Sequence, residues 1–312
     1  MVTNPQSEPS AIIDLWTNSP TTQPAAGLSI TERAKDGSHD RVVAKIKHPT
    51  LRVFLPEHPD EHHTACIICP GGGFGYVTMD KEGDHVAAML NHRGIAAFVL
   101  MYRLPDGQPP AAGSDPLPIQ DITRAIRLVR AHSSPSAGPA VWDINPDRIG
   151  VMGFSAGGQI ASTAATHFDD GDADSTDPVN CQSSRPDFAI LMYPVISMHD
   201  PIAHVPSRNN LLGKTPSTTL LDRFSAERNL TSASPPLFVV HAENDKTVDV
   251  RNSIQLAESA ARTGVPCTLM LLKTGGHGFG LGVNTESSGW ASLCTDWIEQ
   301  LDLPAKPIER PQ

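Results

Sequence analysis

Three short stretches hold residue types able to do nucleophilic acyl chemistry. In Gly153-Phe154-Ser155-Ala156-Gly157-Gly158 a serine follows the apolar run RIGVMG and precedes the helix-forming run AGGQIASTAA. A strand-to-helix turn at that point exposes the Ser155 hydroxyl as a nucleophile elbow. With 24 glycines in the chain the bare string also arises by chance, and an ordinary glycine-rich turn is the competing reading. Its place between a strand-like and a helix-like run is what separates the two. A hydroxyl is a weak nucleophile and needs a base, which in turn needs a group to orient it. His277, in the string KTGGHGFG after the apolar run 268–272, supplies the base. Asp245, in AENDKTV just past the run 237–241, supplies the orienting carboxylate. Glu243 and Asp249 compete with it, and a solvated loop acid is the bland alternative for each. The chain order Ser155, Asp245, His277 is one of the orders in which a serine, acid and histidine relay is built.

Acyl transfer also needs donors for the oxyanion of the tetrahedral intermediate. Pro70-Gly71-Gly72-Gly73-Phe74 follows the run 64–69, and its glycines let main-chain amides approach a substrate unhindered. Gly72 and Gly73 are assigned to the oxyanion hole, with Ala156 as the further donor. No Walker lysine follows, which argues against a phosphate loop. Phe74, Tyr76 and Phe279 flank these loops and are assigned to the acyl or alcohol pockets, with plain loop packing as the alternative. This chemistry requires no cofactor and no metal. Cys66-x-x-Cys69 lies inside an apolar run without a second ligand pair, which reads as core. Asp170, Asp172 and Asp174 alternate like the start of a calcium loop but lack its glycine and closing glutamate. His62-His63 has no companion ligand. Asp121, Arg124 and Arg127 fall on one helix, where Asp121 and Arg124 are spaced for a structural pair.

Strand-like runs at 51–55, 64–69, 96–100, 149–153, 188–193, 237–241 and 268–272 must carry these loops. Helix-like segments at 81–93, 117–132, 156–167, 250–262 and 287–301 alternate with them. Such alternation predicts an α/β fold, a mostly parallel sheet with helices on both faces. Residues 1–40 read as an irregular segment over the surface, and 41–312 as one catalytic domain. Two turn-rich insertions, 169–187 and 198–231, interrupt it. The second is placed to form a rim or lid, because ligands bind beyond the carboxyl ends of parallel strands.

The net charge of -10, with no Lys/Arg cluster, argues against a nucleic-acid partner. No apolar run is long enough to cross a bilayer. Five cysteines, odd in number and mostly in apolar runs, suit buried thiols. The N-terminus lacks the basic start and apolar core of a secretory signal. The expectation is a cytoplasmic protein, or a secreted or periplasmic one if a leader was removed. Oligomeric state is not legible.

The strings CPGGGFGYV, AAFVLMYRL, RAIRLVR, DRIGVMGFSAGG, RPDFAILMYPVIS, PPLFVVHAENDKTV and GGHGFGLG resemble a group of α/β-hydrolase esterases that includes bacterial acetylxylan and feruloyl esterases. They are spread over most of residues 51–301. The resemblance implies a serine carboxylesterase acting on short acyl esters, often acetyl groups on plant polysaccharide, with Ser155, Asp245 and His277 in the matching motifs. One departure is Pro70, where the related hormone-sensitive lipase group begins the loop with His-Gly-Gly. Two other functions stand beside this one. A prolyl-oligopeptidase-type peptidase shares the elbow, but the residues before Leu51 are too few for its usual propeller. A non-catalytic binding protein on the same fold would tolerate loss of a triad member, and all three are present.

Overall fold

The computed structural model describes residues 8–17, 19–20, 27–35, 39–133, 142–283 and 285–303. Its strands are β1 (Ala11–Asp14), β2 (Ser19–Pro20), β3 (Ser29–Glu32), β4 (Arg41–Ala44), β5 (Thr50–Phe54), β6 (Ala65–Cys69), β7 (Val77–Thr78), β8 (Ala96–Met101), β9 (Ile149–Phe154), β10 (Phe188–Met192), β11 (Leu237–Ala242) and β12 (Cys267–Leu272). The helices are α1 (His85–Asn91), α2 (Leu117–Ala131), α3 (Ala156–Ala164), α4 (Val205–Leu212), α5 (Thr218–Arg223), α6 (Arg251–Thr263) and α7 (Trp290–Glu299). The main sheet runs β12-β11-β10-β9-β6-β8-β5-β1-β2, and β3-β4-β7 form a small second sheet. From β12 to β8 all neighbours are parallel; β5, β1 and β2 add antiparallel pairs at one edge. Strands β6, β8, β9, β10 and β11 are buried at every position, which is why they read as continuous apolar runs: both faces of the sheet are covered.

All seven expected strands and five expected helical segments are present, and the differences are informative. Residues 1–40 are not wholly irregular. β1 pairs with β5, Ile13 lying opposite Leu51, and β3 pairs with β4. Four-residue strands carry little periodic signal, and long-range pairing forms them. The helix expected over 81–93 begins instead as one π turn, Asp80–Asp84, that leads into α1. In the 198–231 insertion α4 forms despite its proline and polar residues, since a proline in the first helical turn costs no hydrogen bond.

Helix α2 explains both the apolar stripe and the first insertion. Ile119, Ile122, Ile126 and Val129 are fully buried. On its polar side Arg124 pairs with Asp177, Arg127 with Asp169 and Arg130 with Asp187, fastening the 169–187 loop. The expected Asp121–Arg124 pair is absent. Asp121, fully buried, accepts from Arg103 at 2.6 Å and from Trp16 Nε1 at 3.0 Å. A guanidinium from the next loop offers a bidentate fork that a neighbour one turn away on the same helix does not. Cys66 and Cys69 are fully buried in β6, and burial pushes both thiols well up. Three residues apart on a strand, they point to opposite faces and do not form a redox pair. Among the described residues no helix is long and apolar enough to cross a membrane.

Candidate active site

Ser155 follows β9 and precedes α3 with φ 53° and ψ -116°, a sparsely populated positive-φ conformation that costs a serine about 1–3 kcal/mol. The turn is held by Ser155 N–H donating to Met192 O at 3.0 Å and by its carbonyl accepting from Val195 and Gly158. It also demands close backbone approach: a Cβ on Gly157 would fall 1.9 Å from Cys69 O. At Gly157 the G-x-S-x-G-G pattern is thus set by packing against β6 as well as by the turn.

Loops after β11 and β12 bring the other two residues to the serine. His277 Nε2 lies 2.8 Å from Ser155 Oγ, and His277 Nδ1 lies 2.7 Å from Asp245 Oδ2. The other carboxylate oxygen of Asp245 accepts from the amides of Thr247 (2.8 Å) and Val248 (3.0 Å). His241, at the end of β11, adds a contact from Nε2 to Asp245 Oδ2 at 3.2 Å while its Nδ1 meets Ser253 Oγ at 2.7 Å. Burial pushes the Asp245 carboxyl up, but hydrogen bonds from His241 and His277 outweigh it and hold the group well below the usual carboxylate range. An acid held ionised on Nδ1 leaves Nε2 free to take a proton from Ser155. Of the competing acids, Asp249 pairs with Arg251 and Glu243 is exposed. The two loops are tied together, because Asn244 Oδ1 accepts from Gly276 N at 2.9 Å. Buried Trp290 fixes the histidine loop from below, its Nε1 donating to Gly280 O at 3.0 Å.

Opposite lies the glycine loop after β6. Gly72 O accepts from the amides of Gly75 and Tyr76, closing a turn. The amides of Gly72, Gly73 and Ala156 donate to no protein acceptor among the described residues. Gly72, Gly73, Ser155 and His277 line one open cavity of about 710 Å³, and Ala156 opens α3, whose first amides have no intrahelical partners. Asn210 Nδ2 on α4 donates to Gly73 O at 2.8 Å, so the second insertion braces this loop. The same insertion lends His204 to the cavity wall, where burial and the nearby His277 push its imidazole pKa down.

The three aromatics separate. Tyr76 is exposed and lines the Ser155 cavity. Phe74 does not: at φ 63° its side chain turns inward, 1% exposed, edge-on to Tyr102. Phe279 packs against Tyr193 at 4.6 Å and borders a different hollow, about 1260 Å³, that Gly275 and Gly276 line and Ser155 does not. Sequence reading missed His241, His204 and Asn210. Only His241 carried a local signal, four residues before Asp245 at a strand end; the rest arrive from distant segments.

The BD-FAE family pattern matches residues 51–260. An acetylxylan esterase of Xylanibacter ruminicola is 35% identical over 263 residues, covering 83% of this chain and 48% of that protein. Endo-1,4-beta-xylanase B of Butyrivibrio fibrisolvens is 32% identical over 247 residues, 78% of this chain and 36% of that one. The chain therefore spans about half or less of the length of these curated relatives. A crystal structure of an acetyl ester-xyloside bifunctional hydrolase from Caldicellulosiruptor lactoaceticus superposes with a TM-score of 0.75 at 34% identity, covering 95% of this chain and 97% of that one. With its parallel sheet, its serine elbow and this match over two thirds of its length, the chain belongs to the BD-FAE family and has the α/β-hydrolase fold.

Proposed function

We propose that this chain is a serine carboxylic ester hydrolase that removes acetyl groups from xylan or xylo-oligosaccharides. The observation that carries the reading is the relay Ser155–His277–Asp245 at 2.8 and 2.7 Å, facing undonated amides across an open cavity. Ser155 Oγ attacks the ester carbonyl carbon as its proton passes to His277 Nε2. The oxyanion rests on the amides of Ala156 and of Gly72 or Gly73. Collapse breaks the bond to the sugar oxygen, which takes the proton from His277. Water, activated by the same imidazole, then releases acetate and restores the serine. Asp245 stays ionised throughout and stabilises the imidazolium. Tyr76 and His204 border the cavity, and in this reading they contact the sugar. The acetyl-xylan assignment draws its support from the relatives of that description.

The test is acetate release from acetylated xylo-oligosaccharides, run beside p-nitrophenyl acetate, butyrate and octanoate. The reading expects acetate to be the preferred acyl group and the oligosaccharides to be deacetylated. Preference for octanoate, or inert sugars beside a fast p-nitrophenyl ester, would remove the carbohydrate assignment.

A further inference from the structure

Three acids stand on the π turn that precedes α1, and two are neutralised. Asp80 pairs with Arg41 and Asp84 with Arg52. Glu82, between them, is 4% exposed and has no ion-pair partner among the described residues. Instead its oxygens take one hydrogen bond each. Oε2 accepts from Gly71 N at 2.8 Å, and Oε1 accepts from the Tyr193 hydroxyl at 2.7 Å. Tyr193 Oη in turn accepts from Gly280 N at 3.0 Å. The Tyr193 ring stands edge-on to the His277 imidazole, centroids 4.9 Å apart.

We infer that Glu82 is a positioning residue for acyl transfer: through Tyr193 it locks the oxyanion loop and the histidine loop into one fixed relation. The inference rests on the esterase reading above. Gly71 opens the loop whose next amides face the cavity, and Gly280 closes the loop that carries His277. Both loops must meet one tetrahedral carbon, and a misplacement of about 1 Å can cost about a hundredfold in rate. A carboxylate is the side chain this chain of bonds requires, because both of its neighbours donate to it. Glutamine cannot satisfy both. With its oxygen on Gly71 N–H, its amide meets a phenol oxygen that already accepts from Gly280 and whose own proton loses its acceptor. With the amide reversed, Gly71 N–H faces another donor. A buried, unpaired carboxylate is also costly to keep for stability alone, so its retention beside two catalytic loops points to their alignment.

The experiment compares wild type, Glu82→Gln, Tyr193→Phe and the double variant on p-nitrophenyl acetate, with thermal unfolding and the rate of labelling by diethyl p-nitrophenyl phosphate in parallel. The expected result is a fall in kcat of about tenfold to a hundredfold in each single variant, KM within about twofold, and labelling slowed by a similar factor. The double variant should lose little more than the worse single one, since both break one chain of bonds. Tyr193→Phe carries the test if Glu82→Gln does not fold. Either single variant retaining wild-type kcat, or a loss confined to KM, overturns the inference and leaves the esterase reading standing. Wild type that neither cleaves the ester nor takes the label overturns the esterase reading, and the inference with it.

Discussion

Replacing Asp245 by asparagine tests the relay more sharply than deleting the side chain, because the surrounding amides dictate how the new amide must sit. Oδ1 of Asp245 accepts from two backbone donors, Thr247 N–H at 2.8 Å and Val248 N–H at 3.0 Å. In the variant the carboxamide oxygen must take that place, since an NH2 there would leave two N–H groups unmet at about 1–3 kcal/mol each. The NH2 then points to His277 Nδ1, which lies 2.7 Å from Oδ2. Donor faces donor unless His277 shifts its proton to Nε2, and Nε2 faces Ser155 Oγ at 2.8 Å. The imidazole can no longer accept the serine proton. The wrong tautomer in such a triad costs about 10⁴ in kcat, or about 5 kcal/mol of barrier. Asp245→Asn should therefore lose about that factor in kcat on p-nitrophenyl acetate with KM little changed. A loss under about tenfold would refute the assignment of Asp245 and the tautomer argument together.

Two further outcomes follow from the same geometry. Gly72 has φ 138°, and a Cβ there would fall 2.0 Å from Tyr76 O; Gly72→Ala should displace the loop amides and lower kcat by about a hundredfold, and kinetics within twofold of wild type would place the oxyanion donors elsewhere. The Asp245 carboxyl is held below its ordinary value of about 3.9, so the stability it contributes is complete above about pH 5 and is lost as pH falls toward the folded value. With Asp245→Asn as a baseline that lacks this carboxyl, the gap in unfolding temperature should shift against the wild type as pH falls below about 4. A gap unchanged down to about pH 3 would contradict the depressed ionisation.

The chemistry was legible where it is local. The serine elbow, the acid loop and the histidine loop each fall within about eight residues at a strand end, so turn residues and apolar runs locate them in sequence. What sequence could not show is set by contacts between distant segments. β1 forms because Ala11–Asp14 finds the free edge of β5. Asp121 takes Arg103 from a neighbouring loop in place of Arg124 one turn away. Phe74 stands among the glycines of the oxyanion loop, where an aromatic reads as a pocket wall, yet its left-handed backbone turns the ring into the core. Glu82 resembles any acid on a solvated helix face, and only the π turn and Tyr193, 111 residues onward, reveal its inward direction.

The central claim is that Ser155 is the nucleophile of an ester hydrolase. Its most direct test is steady-state cleavage of p-nitrophenyl acetate by wild type and Ser155→Ala, with the residue labelled by diethyl p-nitrophenyl phosphate mapped by peptide mass spectrometry. The account predicts a single label on Ser155 and a fall in kcat of at least about a thousandfold in the variant. A variant that keeps its activity, or a label that maps to another residue, would contradict it.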